Sequence, residues 1–230
     1  MNSKSELRLD WCDEKAAMFA CKRWHYSRIT PGAWRKTRIG VWENGIFNGC
    51  LIFINPMPPV WKRFKCENTE IAELARVALG DHRNQVSRII AVARRMLMSV
   101  NPGLKLLVSY ADTGQGHHGG IYQASGFSYF GANGGGREYL YQGRWVHPRA
   151  ISRDIKKGKI TKVQGWSLPN RSMSVKHCYA MAIPGRGYQF HEPEHSFPKR
   201  VRSDTSDTSG NQPEEGGATP TRTLSPDQPI

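Results

Sequence analysis

Side chains that could move a proton or hold a nucleobase gather in three short runs of this sequence. His25, Tyr26 and Ser27 are consecutive. A histidine beside a tyrosine offers a general base, a metal ligand or a stacking surface for a base, and equally the packing that closes a helix end. Glu73 lies midway along residues 69–79, which read as a strand. A carboxylate in a central strand is costly unless paired. Glu73 therefore either accepts a proton from an incoming amine or pairs with Arg76 or Arg88. Ser109, Tyr110 and Asp112 end another strand-like run, and the carboxyl ends of strands open on the crevices where α/β sheets bind ligands. Asp112 could there bond an amine, hold a metal or cap the loop. His25, Asp112 and His118, with His117 beside them, supply the histidine and carboxylate ligands that suit a non-haem iron, although their separations match no known ligand spacing.

Charge points to the partner. The 230 residues carry a net +14. Residues 203–230 are rich in Ser, Thr, Pro and Gly and hold five acids against Arg222, a net −4, so residues 1–202 hold +18. That balance suits a polyanionic partner, and charge alone does not separate DNA from RNA, so double-stranded DNA and tRNA both stand as candidates. Basic stretches interleaved with aromatics, Trp61 to Lys65, Arg144-Trp145 and residues 149–162, could neutralise phosphates while rings stack on a displaced base. The tail has almost no large apolar residue and is expected to be disordered, which places the folded domain at 1–202 and the tail at 203–230. The longest apolar runs are too short to span a membrane, and the first residues lack a secretory h-region. Five cysteines without a CxxC spacing read as reduced thiols in a cytosolic protein.

Several elements are needed to position these residues. Residues 6–11 alternate as a strand, and Asp13 can cap a helix over 14–22. Residues 37–43 and 46–54 read as strands joined by Asn44-Gly45, a preferred tight hairpin turn. Pro56, Pro58 and Pro59 stop the sheet. After strand 69–79, a loop leads to a helix over 87–99, a buried strand over 104–111 and a short helix over 117–125. Residues 127–141 read as strand, Gly-rich turn, strand, and 176–183 as a late strand. The centre predicts two neighbouring strands bridged by a crossover.

This order resembles the GNAT acyltransferase fold, which implies an α/β architecture with a GNAT-like mixed central sheet flanked by helices. Residues 70–79, their loop and the following helix look like the donor-binding strand–loop–helix. Gly120-Ile121-Tyr122-Gln123-Ala124-Ser125-Gly126-Phe127 looks like the second signature, in which Tyr122 takes the place of a general-acid tyrosine. The loop departs from the family pattern because it lacks interior glycines. An anion could still be held at the helix N-terminus by Arg83, Asn84, Ser87 and Arg88. More closely, Trp24-His25-Tyr26-Ser27, Glu73-Leu74-Ala75-Arg76, Asn84-Gln85-Val86-Ser87-Arg88, Ser109-Tyr110-Ala111-Asp112 and His118-Gly119-Gly120-Ile121-Tyr122 are similar to landmarks of the phage Mom DNA-modification family over about residues 6–190. That resemblance implies a transferase converting adenine in phage DNA to N6-carbamoylmethyladenine, which protects it from host restriction. It also implies an acyl donor, either acyl-CoA or an activated glycine such as glycyl-tRNA. The rival readings are a GNAT-type transferase acting on a protein or small-molecule amine, and a basic DNA-binding protein without catalysis.

Overall fold

In the computed structural model, residues 6–33, 35–134 and 136–199 are described. They fall within one compact unit, Met1–Lys199; the acidic tail expected over 203–230 lies outside the described residues. Strand β1 (Leu7–Trp11) leads into helix α1 (Glu14–Trp24), where the Asp13 carboxylate accepts the Ala16 N–H at 2.7 Å, the expected N-cap. Strands β2 (Lys36–Glu43) and β3 (Ile46–Ile54) form the expected hairpin, with Asn44 and Gly45 at φ 50° and 78°. Pro58 does more than stop the sheet. Its fixed φ and missing N–H suit the first turn of helix α2 (Pro58–Arg63).

Strand β4 (Ile71–Leu79), helix α3 (Val86–Val100) and strand β5 (Leu106–Asp112) form the expected crossover, and β4 and β5 lie side by side and parallel. α3 turns Ile89, Ile90, Ala93 and Leu97 onto the sheet, and each large aliphatic side chain buried there contributes about 1.5–3 kcal/mol. Helix α4 (Gly120–Gln123) precedes strand β6 (Ser128–Asn133), and β10 (Lys176–Ala182) inserts between β5 and β6. The resulting seven-stranded mixed sheet has the order β1-β2-β3-β4-β5-β10-β6.

Residues 127–141 do form two strands, but the pair splits between sheets. β7 (Arg137–Tyr141) is the centre of a separate three-stranded sheet with β8 (Arg144–Val146) and β9 (Asn170–Ser172). Helices α5 (Pro148–Lys156) and α6 (Lys162–Trp166) fill the stretch between β8 and β9. Among the described residues, no helix is long and apolar enough to cross a membrane. The five cysteines are free thiols.

Candidate functional site at the parted strands

β4 and β5 pair over only three residues, Ile71–Glu73 opposite Leu106–Val108. Beyond Glu73 they part. The β3–β4 register steps from Ile52↔Arg76 to Phe53↔Leu74, leaving Ala75 as an extra residue. Such a bulge bends its strand and re-aims the side chains that follow. The Leu74 carbonyl, where the pairing stops, instead accepts the Ser109 hydroxyl at 2.7 Å. Ser109 is fully buried. It holds the fork between the strands and also bonds the Tyr122 phenol.

A cleft of about 690 Å³ occupies the fork. Ala75, Val77 and Leu79 of β4 line one wall, and Tyr110 and Ala111 of β5 the other. The end of α1 contributes Trp24, His25 and Tyr26, and residues 116–122 close the far side through His117, His118 and Tyr122. Of the expected catalytic residues, His25, Tyr26, Tyr110 and Tyr122 therefore meet in one cavity.

Their protonation states follow from burial. The His25 imidazole is held down to about 4 by burial, reinforced by the Arg76 and His117 charges. Its Nδ1 accepts the Ser27 N–H at 3.1 Å and lies 2.8 Å from the Ser27 hydroxyl. An accepting Nδ1 leaves the ring proton on Nε2. At neutral pH His25 is thus a hydrogen-bond donor rather than a free base, and Ser27 orients it. Tyr26 stacks on His25 with centroids 4.3 Å apart and meets His117 edge-on at 5.3 Å. Burial and the nearby Asp112 charge raise the Tyr26 phenol. Tyr110 is raised far more, chiefly by burial. Tyr122 is pushed up to about 12 by burial, against a lowering hydrogen bond with Ser109. All three phenols stay protonated.

Other expected residues have different work. Asp112 accepts the Gly114 N–H at 3.0 Å and the Ser174 hydroxyl at 2.6 Å. It takes the loop-capping alternative and joins the end of β5 to the approach to β10. Among the described residues, no three His, Cys, Asp or Glu side chains are placed to hold a metal ion; the iron set His25, Asp112 and His118 is not assembled, because Asp112 is spent on its cap and His25 Nδ1 on Ser27. Glu73 is half-buried outside the cleft lining, and burial raises its carboxyl against the Arg76 and Lys176 charges.

The expected donor loop is tied to β2. Glu43, buried at the end of β2, accepts the Arg83 and Asn84 backbone N–H groups at 2.8 Å each and the Asn84 side-chain amide at 2.7 Å. Burial pushes the Glu43 carboxyl up, but these bonds outweigh it and leave it below the ordinary value. An internal carboxylate thus holds the loop just ahead of the α3 N-terminus, at Arg83 and Asn84. Asn84 is committed to it, while the Arg83 and Arg88 side chains are exposed and Ser87 is half-buried. Sequence reading missed Glu43, although an acid following the apolar run Ile39 to Trp42 in a strand is a signal that something must bond it.

Close approach explains two glycines. A Cβ at Gly119 (φ +84°) would lie 2.3 Å from the Tyr179 ring, whose hydroxyl donates to the His118 carbonyl at 2.5 Å. A Cβ at Gly80 would lie 2.8 Å from the Trp24 indole. Both contacts seat cleft walls.

The profile of the Mom protein family matches residues 6–199. The methylcarbamoylase Mom of Escherichia phage Mu is 33% identical over 116 residues, a stretch that takes in 48% of this chain and 45% of that protein; the match thus spans less than half the length of that relative. Among solved structures, a putative acetyltransferase from Acinetobacter baylyi ADP1 aligns at TM-score 0.45 and 14% identity, covering 80% of this chain and 95% of the other. A probable GNAT-family acetyltransferase from Chromobacterium violaceum ATCC 12472 aligns at 0.46 and 10%, covering 79% and 84%.

Proposed function

Given that this chain belongs to the Mom protein family, we propose that it is a transferase that converts adenine in double-stranded phage DNA to N6-carbamoylmethyladenine and so shields the DNA from restriction. The observation that carries this reading is the chemistry of the cleft wall. Among the described residues its lining includes no Lys, Arg, Asp or Glu, and offers instead a neutral His25, protonated phenols, aliphatic side chains and three further histidines, His82, His117 and His118. Such a wall suits a flat, neutral heterocycle flipped out of the stack. Aromatic faces at His25 and Tyr26 stack on it, and the Tyr110 and Tyr122 hydroxyls supply hydrogen bonds.

Adenine N6 is a poor nucleophile, so the site must orient it, take its proton and stabilise the oxygen that gains charge. Tyr122 is the group for the developing oxyanion or leaving-group oxygen, since its proton is retained up to about 12. Glu73, raised by burial and near Tyr110, is the proton acceptor, reached through Tyr110 or a water.

The donor is an activated acyl compound, and two features favour an activated glycine such as glycyl-tRNA over acyl-CoA: the carbamoylmethyl group has the atoms of a glycyl group in isomeric form, and the loop over residues 80–87 lacks interior glycines. N6 attacks the ester carbonyl, the tRNA 3′-oxygen leaves with a proton, and an amide forms. The freed glycyl amine then attacks C6. The C6 bond to the original nitrogen breaks, and that nitrogen becomes the terminal carboxamide. Purified protein is incubated with duplex DNA labelled with heavy nitrogen at N6, together with either donor. Modified base formed with glycyl-tRNA, releasing labelled ammonia on mild hydrolysis, is the expected result. Product from acyl-CoA alone, or label retained on the purine, overturns the donor route; absence of any modified adenine overturns the function.

A further inference from the structure

We propose that the insert between β6 and β10, residues 137–172, is the module that docks duplex DNA, and that the outward stripe of α5 is its phosphate-contacting face. This rests on the reading that DNA is the substrate. The insert holds nine Lys and Arg against two acids, a net +7 in 36 residues, so it carries seven of the eighteen positive charges of residues 1–202.

Both acids are engaged inside the insert. Glu138 accepts the Arg171 guanidinium at 2.6 Å, and Asp154, buried, lies 3.3 Å from Arg153 and takes a hydrogen bond from Tyr141. α5 is strongly two-sided. Ile151 and Asp154 face inward, where Ile151 and Ile155 meet Gly165 of α6, so closely that a Cβ there would lie 2.8 Å from Ile151. Arg149, Arg153 and Lys156 recur at helical spacing on the opposite side, all exposed, and Lys157, Lys159 and Lys162 continue the exposed run past the helix end. Among the described residues, Arg149, Lys156, Lys157, Lys159 and Lys162 form no ion pair within 4 Å. The insert folds on its own small core, with Tyr139 and Trp166 in edge contact at 5.4 Å. Of its basic face, Arg153 braces the buried Asp154, while Arg149, Lys156, Lys157, Lys159 and Lys162 are left unpaired toward solvent.

A solvated lysine face would spread its charge and intersperse acids. Cations three or four residues apart in a single stripe, roughly 4.5–6 Å along a helix, can instead follow the phosphates of one strand, spaced ~3.4 Å along the duplex axis. Duplex DNA is favoured over a folded RNA because the flat wall of the cleft already calls for a flipped base, which a docked duplex supplies.

The test compares the full chain, the variant Arg149→Gln/Lys156→Gln/Lys157→Gln, and a control that removes three exposed charges elsewhere, Lys15→Gln/Lys22→Gln/Arg95→Gln. Duplex binding is read by fluorescence anisotropy across a salt series, beside tRNA binding and modified adenine. The stripe variant is expected to keep the wild-type thermal transition. Its duplex affinity should fall about tenfold or more, and its log–log salt slope should flatten by about 2–3, well beyond the control. A stripe variant indistinguishable from the control, while the wild type binds and modifies DNA, overturns the docking surface alone. Loss of tRNA binding with duplex binding intact also overturns it. Wild-type protein that neither binds duplex nor modifies adenine overturns both the surface and the function beneath it.

Discussion

Tyr122 reaches the cleft as a phenol that burial keeps protonated, with Ser109 as its hydrogen-bond partner and Phe127 and Tyr179 packed around it. Replacing Tyr122 by Phe removes one hydroxyl and little volume. Modification rate should fall roughly 10²-fold or more, the usual span for a lost proton donor, while duplex affinity stays within a few-fold. Single-turnover kinetics check this, and an unchanged rate would remove Tyr122 from the chemistry. His25 supports a second prediction. Its folded value of about 4 lies below the ordinary 6.5, so between those values the unfolded chain binds the extra proton. Stability is full above about 6.5 and is lost as pH falls toward about 4. His147 and His177 shift in the same direction and share the effect. His25→Gln should flatten part of the acid slope in denaturation midpoints measured between pH 7 and 4; an identical slope would contradict the neutral assignment.

Bending β4 away from β5 depends on the Ala75 bulge and on Ser109 capping the orphaned Leu74 carbonyl. The neighbouring loop depends on Glu43. Glu43→Ala would leave two buried N–H groups and an amide without their acceptor, so unfolding free energy should drop by about 1–3 kcal/mol. Added sulfate or phosphate should raise the thermal midpoint of this variant more than that of the wild type, since an external anion can enter the emptied cradle. An equal response in both proteins would mean that the cradle does not hold anions. At this scale much was legible in the sequence. The Asp13 cap, the Asn44-Gly45 turn and the β4–α3–β5 crossover each rest on local chemistry or period. His25, Tyr26, Tyr110 and Tyr122 were named before their cavity was seen. The roles of Ser109, Asp112 and Asn84 were not legible, because each is decided by a long-range partner: Leu74, Ser174 and Glu43. Beyond β7, the insert was read only as charge. Its strands β8 and β9 span three residues each and its helices are short, too brief for a period to show.

Over the whole chain, the charge is asymmetric, with +18 on residues 1–202 and seven of those charges on the insert. Binding driven by released counterions should weaken about 10³-fold or more between 50 and 200 mM salt if six or more phosphates are neutralised. An anisotropy titration that shows little salt dependence would contradict a phosphate-tracking interface. The chain belongs to the Mom protein family over residues 6–199, and the proposed function makes adenine in DNA the base its cleft accepts. One measurement bears most directly on that claim. Total DNA from bacteria expressing the chain is digested to nucleosides and resolved by mass spectrometry, alongside DNA from cells expressing Tyr122→Phe. The account predicts a deoxyadenosine heavier by one carbamoylmethyl group in the wild-type sample, sharply reduced in the variant. Unmodified deoxyadenosine from cells that contain abundant folded wild-type protein would contradict it.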